Sequence, residues 1–166
     1  MVTADDVKRL RDETSAGVMD CKRALEEAGG DFAQAKELLR ERGVAAAAKR
    51  TDRETGQGLV ESYIHGEGRI GALVEINCET DFVARTEAFR ELARDVAMQV
   101  AAMNPLALNP EDVPDDAPGK KDEHALLTQP FIKDAGRTIA DLVQETIATT
   151  GENVRITNFS RFELGS

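Results

Sequence analysis

Basic runs are missing from this sequence, which carries 21 Lys and Arg against 31 Asp and Glu for a formal net charge of −10. Proteins that bind nucleic acid directly draw much of their affinity from Lys and Arg against phosphate, so nucleic acid is not expected as a direct ligand. Long apolar runs are missing too. The N-terminus, "MVTADDVKRLRDE", is charged from its fifth residue, and no stretch approaches a secretory core or a membrane span. The expected setting is therefore the cytoplasm, away from membranes. Cysteine is scarce: Cys21 and Cys78 are far apart and form no C-x-x-C pair, which argues against a disulfide framework or a zinc site and makes both small buried hydrophobes. No G-x-x-x-x-G-K-[ST] phosphate loop occurs, and the glycines of "HGEGRIG" join two strands with no helix following to hold an anion. Carboxylates are plentiful, but their spacing is that of solvated helix faces and yields no acid and base pair. An enzyme is not expected, and neither is a cofactor.

What is present is a soluble globular chain of 166 residues, 41% hydrophobic and 31% charged, enough for one domain or two small ones. Its first 43 residues read as three short helices. Thr3 is placed to cap the first, with Asp6 near the positive end of the helix dipole and Val7 and Leu10 on the apolar side. Gly17 breaks the chain. The second helix, "VMDCKRALEEA", sets Val18, Cys21, Leu25 and Ala28 on one face and ends at Gly29 and Gly30. Asp31 caps the third, whose apolar set is Phe32, Ala35, Leu38 and Leu39 and whose expected stop is Gly43. Helices this short bury little surface, so residues 1–43 read as a docking module. Residues 44–57, alanine-rich and then charged, read as a helical or frayed connector.

The pattern changes at Leu59. "LVESYIHGEGRIGALVEINCE" reads as a β-hairpin, with Ile70, Ala72, Val74, Ile76 and Cys78 alternating along the second strand and Gly66 and Gly68 in the turn. "TEAFRELARDVAMQVAAMNP" carries Phe89, Leu92, Val96 and Val100 at helical spacing and stops at Asn104 and Pro105. Residues 104–124 hold four of the five prolines and six acidic residues, a linker composition expected to be extended and mobile. After "ALLTQPFIKDAG", Thr138 caps a helix with Ile139, Leu142, Val143 and Ile147 inward, and "ENVRITNFSRFEL" supplies a last strand for the hairpin's sheet. The fold class is α+β, with a core over residues 58–166 built on a small antiparallel sheet of about three strands.

Between the hairpin and the core helix lies "NCETDFVAR", where a large apolar ring, Phe82, stands beside the carboxylate of Asp81 at a strand-to-helix corner. One reading tucks Phe82 into the core. The other makes it a tip that enters another molecule. A cysteine nucleophile with a histidine base can be drawn from Cys78 and His65 on neighbouring strands, but the alternation sets Cys78 in line with buried aliphatics, where a thiol stays protonated and inert.

The segments "LRDETSAGVMDCKRAL", "RGVAAAAKR", "GRIGALVEINCETDFVAR", "QPFIKD" and "RFELG" together resemble the elongation factor Ts family, in order and over most of the chain. That resemblance implies a UBA-like three-helix N-terminal domain, a sheet-bearing core and a guanine-nucleotide exchange factor that binds elongation factor Tu in its GDP-bound and nucleotide-free states. It implies that Thr80, Asp81, Phe82 and Val83 match the motif that dislocates magnesium from the partner. Arg11, Met19 and Lys22 match the surface that docks on the partner's nucleotide-binding domain, with Val18 standing where many members have methionine. His65 matches a contact to a more distant partner domain. The helical hairpin arm of many members is replaced here by the short acidic linker. With one core half, the chain is similar to a short form that could pair as a homodimer. The alternative function is a UBA-like peptide-binding adaptor without exchange activity.

Overall fold

The computed structural model describes residues 2–14 and 16–166; residues 1 and 15 of the expected N-terminal unit lie outside the described residues. The described chain is α+β: helices α1 (Ala4–Thr14), α2 (Val18–Glu27) and α3 (Phe32–Ala48), strands β1 (Gln57–His65) and β2 (Ile70–Cys78), helices α4 (Asp81–Ala84), α5 (Glu87–Met103) and α6 (Lys121–His124), strands β3 (Pro130–Phe131) and β4 (Asp134–Thr138), helix α7 (Ile139–Thr150) and strand β5 (Val154–Glu163).

The N-terminal helices start where short polar side chains satisfy their free N–H groups. The Asp6 backbone N–H donates to Thr3 Oγ1 at 3.2 Å, the Thr3 N–H donates to the Asp6 carboxylate at 2.9 Å, and the Asp31 carboxylate accepts from the Gln34 N–H at 2.9 Å. Leu10, Cys21, Ala24, Leu25, Ala28 and Ala35 form a small buried cluster, with Phe32, Leu38 and Leu39 packed against it. Val18 does not join that face. It is the first residue of α2, a turn ahead of the buried stripe, and is 51% exposed.

Nor does α3 stop at Gly43. It runs five residues further, and Ala47 near its end is buried in the larger core. The alanine run "VAAAA" has the highest helix propensity available and carries the helix past a glycine that costs about 1 kcal/mol. Gly43 lies against α7: a Cβ added there would sit 3.6 Å from the Ala148 methyl carbon. α3 thus begins in one hydrophobic cluster and ends in the other.

The larger core lies between the sheet and helices α5 and α7. The sheet order is β1-β2-β5, both pairings antiparallel. Ala72, Val74, Ile76 and Cys78 of β2 and Val154 and Ile156 of β5 face Phe89, Leu92, Val96 and Val100 of α5 and Ile139, Leu142, Val143 and Ile147 of α7. The strict alternation on β2 is what a sheet with one covered face requires. At Gly58 the chain adopts φ 149°, and an added Cβ would lie 2.1 Å from the Ile76 carbonyl oxygen, so only glycine fits that close approach. Thr138 caps α7 in a reciprocal box with Asp141, and Gly151 closes the helix in the left-handed region.

The proline-rich excursion is folded back on itself, contrary to the extended linker expected. The Leu106 N–H donates to the His124 carbonyl at 2.8 Å, the Leu126 N–H to the Ala107 carbonyl at 2.9 Å and the Leu127 N–H to the Leu108 carbonyl at 3.1 Å. Val113 is buried, and the Gln129 side-chain amide, itself buried, donates to the Glu123 carbonyl at 3.0 Å. Proline removes donors, but the N–H groups that remain find carbonyls across the excursion. Among the described residues, the interval from 104 to 129 holds two three-residue 3₁₀ turns and the four-residue α6, with no pair of long helices. The β3-β4 hairpin that follows, unforeseen in the sequence, is tied to α5 by Gln99: its amide nitrogen donates to the Pro130 carbonyl at 3.1 Å and its oxygen accepts from the Ile132 N–H at 3.0 Å.

Candidate functional site

The corner after β2 is built by two threonine caps placed six residues apart. Thr80 accepts from the Val83 N–H at 3.4 Å and starts α4; Thr86 accepts from the Phe89 N–H at 3.3 Å and starts α5. Between them α4 has room for a single turn. Thr86 also donates its hydroxyl to the Val83 carbonyl at 2.7 Å, locking the turn's end to the start of the next helix.

Side chains along one helical turn diverge by roughly 100° per residue, and this turn uses that divergence. Val83 and Ala84, each 8% exposed, enter the core, while Phe82 is 78% exposed. Asp81 lies at the rim with its carboxylate 2.9 Å from the Arg85 guanidinium. Of the four residues in the motif, Asp81 and Phe82 face outward and Val83 is an anchor beneath them.

Thr80 is itself held from a distance. The Glu152 carboxylate accepts from the Glu79 N–H at 3.1 Å, the Thr80 N–H at 2.9 Å and the Thr80 hydroxyl at 2.6 Å. Next to it, the Asn153 N–H donates to the Glu79 carboxylate at 2.7 Å, and the Asn153 side chain donates to the Arg53 carbonyl at 2.9 Å. Sequence reasoning missed Glu152. The one local signal was its place directly after the Gly151 helix stop, and nothing in the sequence pairs it with a corner 72 positions earlier.

Cys78 ends β2 beneath the same corner. It is fully buried, its thiol donates to the Thr80 carbonyl at 3.1 Å, and burial first and the nearby Glu152 charge second push its pKa up to about 11. His65 is not near it. In the hairpin register Cys78 lies opposite Gln57 and His65 opposite Ile70, eight residues along the strand, or about 27 Å. The cysteine and histidine pair therefore does not form. His65 is exposed, its Nδ1 is 3.0 Å from the Tyr63 hydroxyl, and the two rings stack with centroids 5.9 Å apart.

The N-terminal candidates form a second surface. Val18, Met19 and Lys22 occupy one side of α2, with Met19 62% exposed and Lys22 3.8 Å from Glu26; Arg11 is exposed on the last turn of α1. Among the described residues, no group of three or more His, Cys, Asp or Glu side chains could hold a metal ion, and no helix is long and apolar enough to cross a membrane.

Comparison with known proteins places this arrangement. Residues 35–124, from α3 to α6, match the family model described as Elongation factor TS. The chain is similar to Elongation factor Ts of Rubrobacter xylanophilus, at 49% identity over 96% of this chain and 97% of the relative. It is also similar to those of Carboxydothermus hydrogenoformans, at 49% over 99% of this chain and 90% of the relative, and Moorella thermoacetica, at 46% over 99% and 96%. The aligned spans of 190 and 195 positions exceed the 166 residues here, so these relatives carry residues without a counterpart in this chain. The protein is a translation elongation factor, acting in protein biosynthesis. The chain belongs to the elongation factor Ts family.

Proposed function

We propose that this protein is the guanine-nucleotide exchange factor for elongation factor Tu, and that it works through the corner at residues 80–83. The observation that carries the reading is Phe82: a large apolar ring left in solvent on a turn whose neighbours, Val83 and Ala84, are buried and whose ends are both capped. The capped turn fixes the backbone that carries the ring, so less backbone ordering entropy opposes its insertion into a partner.

GDP on such a partner is held partly by Mg²⁺ bridging its phosphate to the protein, and Mg²⁺ demands near-ideal octahedral geometry. Wedging Phe82 between partner elements contributes about 1.5–3 kcal/mol from burial of the ring. That gain offsets the displacement of the segment holding the metal, and Asp81 supplies a polar contact beside the ring. Arg11, Val18, Met19 and Lys22 dock on the partner's nucleotide-binding domain, and His65, at the far end of the hairpin, reaches a more distant one. Coupling between sites is reciprocal, so binding of this factor weakens GDP by the ratio in which GDP weakens the factor, and incoming nucleotide expels it. Nothing is hydrolysed.

The sheet adds a second reading, self-association. Val60 and Ile64 of β1, Leu73 of β2 and Phe162 of β5 are exposed on the face away from the core. Ile64, Gly71 and Phe162 stand in one row across the three strands, and an apolar row of this kind fits a second copy of the chain.

The test of the exchange reading is stopped-flow release of labelled GDP from elongation factor Tu. Addition of this protein accelerates release if the reading is right; an unchanged rate at saturating protein contradicts it.

A further inference from the structure

We infer that Glu152 is a positioning residue for nucleotide exchange, one that fixes the orientation of the Phe82 turn through Thr80. The inference rests on the exchange-factor reading and adds to it a residue from the other end of the core. Three donors converge on one carboxylate: the N–H groups of Glu79 and Thr80 at 3.1 and 2.9 Å on Oε2, and the Thr80 hydroxyl at 2.6 Å on Oε1.

The hydroxyl bond sets the direction of the cap. Because Thr80 gives its only hydroxyl hydrogen to Glu152, its lone pairs are left toward the Val83 N–H, the bond that starts α4. The chain of bonds runs from Glu152 to Thr80 to Val83, and Phe82 is carried between the last two. Gly151 in the left-handed region turns the backbone off α7 and brings Glu152 to the corner, while Asn153, 1% exposed, fixes the same loop to Glu79 and to the carbonyls of Thr51 and Arg53. The loop is thus anchored independently of Glu152, so replacing its carboxylate alters the corner more than the loop.

A neutral amide cannot reproduce this arrangement. In Glu152→Gln one end of the side chain becomes an NH₂ group: facing the Glu79 and Thr80 N–H groups it loses both of those bonds, and facing the Thr80 hydroxyl it reverses that one. The experiment uses the full-length protein with elongation factor Tu and measures GDP release at saturating factor, the affinity of the complex and the thermal midpoint. For Glu152→Gln the saturated release rate falls about tenfold, the loss expected from one charge-assisted hydrogen bond, while affinity changes much less and the protein stays folded. Thr80→Ser, which keeps the hydroxyl, retains most of the rate, whereas Thr80→Val loses it. Adding Glu152→Gln to Thr80→Val brings less than its full separate loss, because the hydroxyl limb of the relay is already cut.

A saturated rate for Glu152→Gln equal to wild type overturns the inference, as does a deficit confined to affinity or one that adds fully to that of Thr80→Val. Should Glu152→Gln fail to fold, the threonine pair decides, and equal rates for the serine and valine variants overturn it. Phe82→Ala in the same assay separates the two levels: if it slows release and the Glu152 and Thr80 variants do not, this inference fails alone. If the wild-type protein does not accelerate release, the exchange reading itself fails.

Discussion

Phe82 and Val83 are consecutive residues of one helical turn, and the first is 78% exposed while the second is 8% exposed. The buried neighbour fixes where the exposed one stands. This pairing of anchor and tip carries the functional reading, and it separates the consequences of substitutions a few positions apart.

Phe89, seven residues beyond Phe82, is fully buried in the core. Phe89→Ala is expected to cost about 3–5 kcal/mol of stability, because the lost contacts are joined by a cavity. Phe82→Ala should leave the thermal midpoint nearly unchanged. Calorimetry on the two variants checks the contrast, and equal losses would mean that Phe82 is core.

The thiols should be inert in the folded protein. Thiolate is the reactive form, and with a pKa of about 11, Cys78 is thiolate in roughly one molecule in a thousand at pH 8. Burial likewise raises Cys21. Alkylation at pH 8 is expected to be negligible until denaturant is added, after which both react. A raised pKa favours the neutral form in the folded state, so this contribution to stability is full below pH 9.0 and falls as pH rises toward about 11. Rapid native-state alkylation of Cys78 would contradict this.

Gly58→Ala should be strongly destabilising, well beyond the typical surface substitution of about 0.5 kcal/mol. Its Cβ would collide with the Ile76 carbonyl at 2.1 Å in a backbone conformation that L residues rarely adopt. Denaturant unfolding measures the loss; a variant as stable as wild type would show that the two strands separate easily there.

Much of the fold was legible because its signals are local. Thr3, Asp31 and Thr138 are caps at the starts of apolar-periodic segments, and Ile70 to Cys78 alternate as a strand with one covered face must. The errors came where tertiary packing outweighed local cues. Gly43 reads as a helix stop, yet alanines beyond it and α7 beside it carry α3 onward. The prolines after Asn104 read as an extended linker, yet the N–H groups of Leu106, Leu126 and Leu127 pair across it with the carbonyls of His124, Ala107 and Leu108. At the site, residues alone left Phe82 open between core and tip, and the likeness of "NCETDFVAR" to a known motif pointed to the tip. Glu152 carried no such pattern, since its role exists only once residues 72 positions apart are brought together.

Self-association through the outer sheet face is expected to appear in equilibrium sedimentation as a species near twice 18.0 kDa at micromolar concentration. Ile64→Lys, which places a charge in the apolar row, should shift it toward monomer. A monomer at every accessible concentration would exclude the pairing.

The most direct measurement of the central claim is GDP release from elongation factor Tu at saturating protein, comparing wild type with Phe82→Ala in Mg²⁺ and after chelation. In Mg²⁺ the variant should slow release roughly 10- to 150-fold, the range given by about 1.5–3 kcal/mol of ring burial. With the metal removed that deficit should shrink, because the corner's work is then already done. A variant as fast as wild type in Mg²⁺, or a deficit unchanged by chelation, would contradict a wedge that acts by dislodging magnesium.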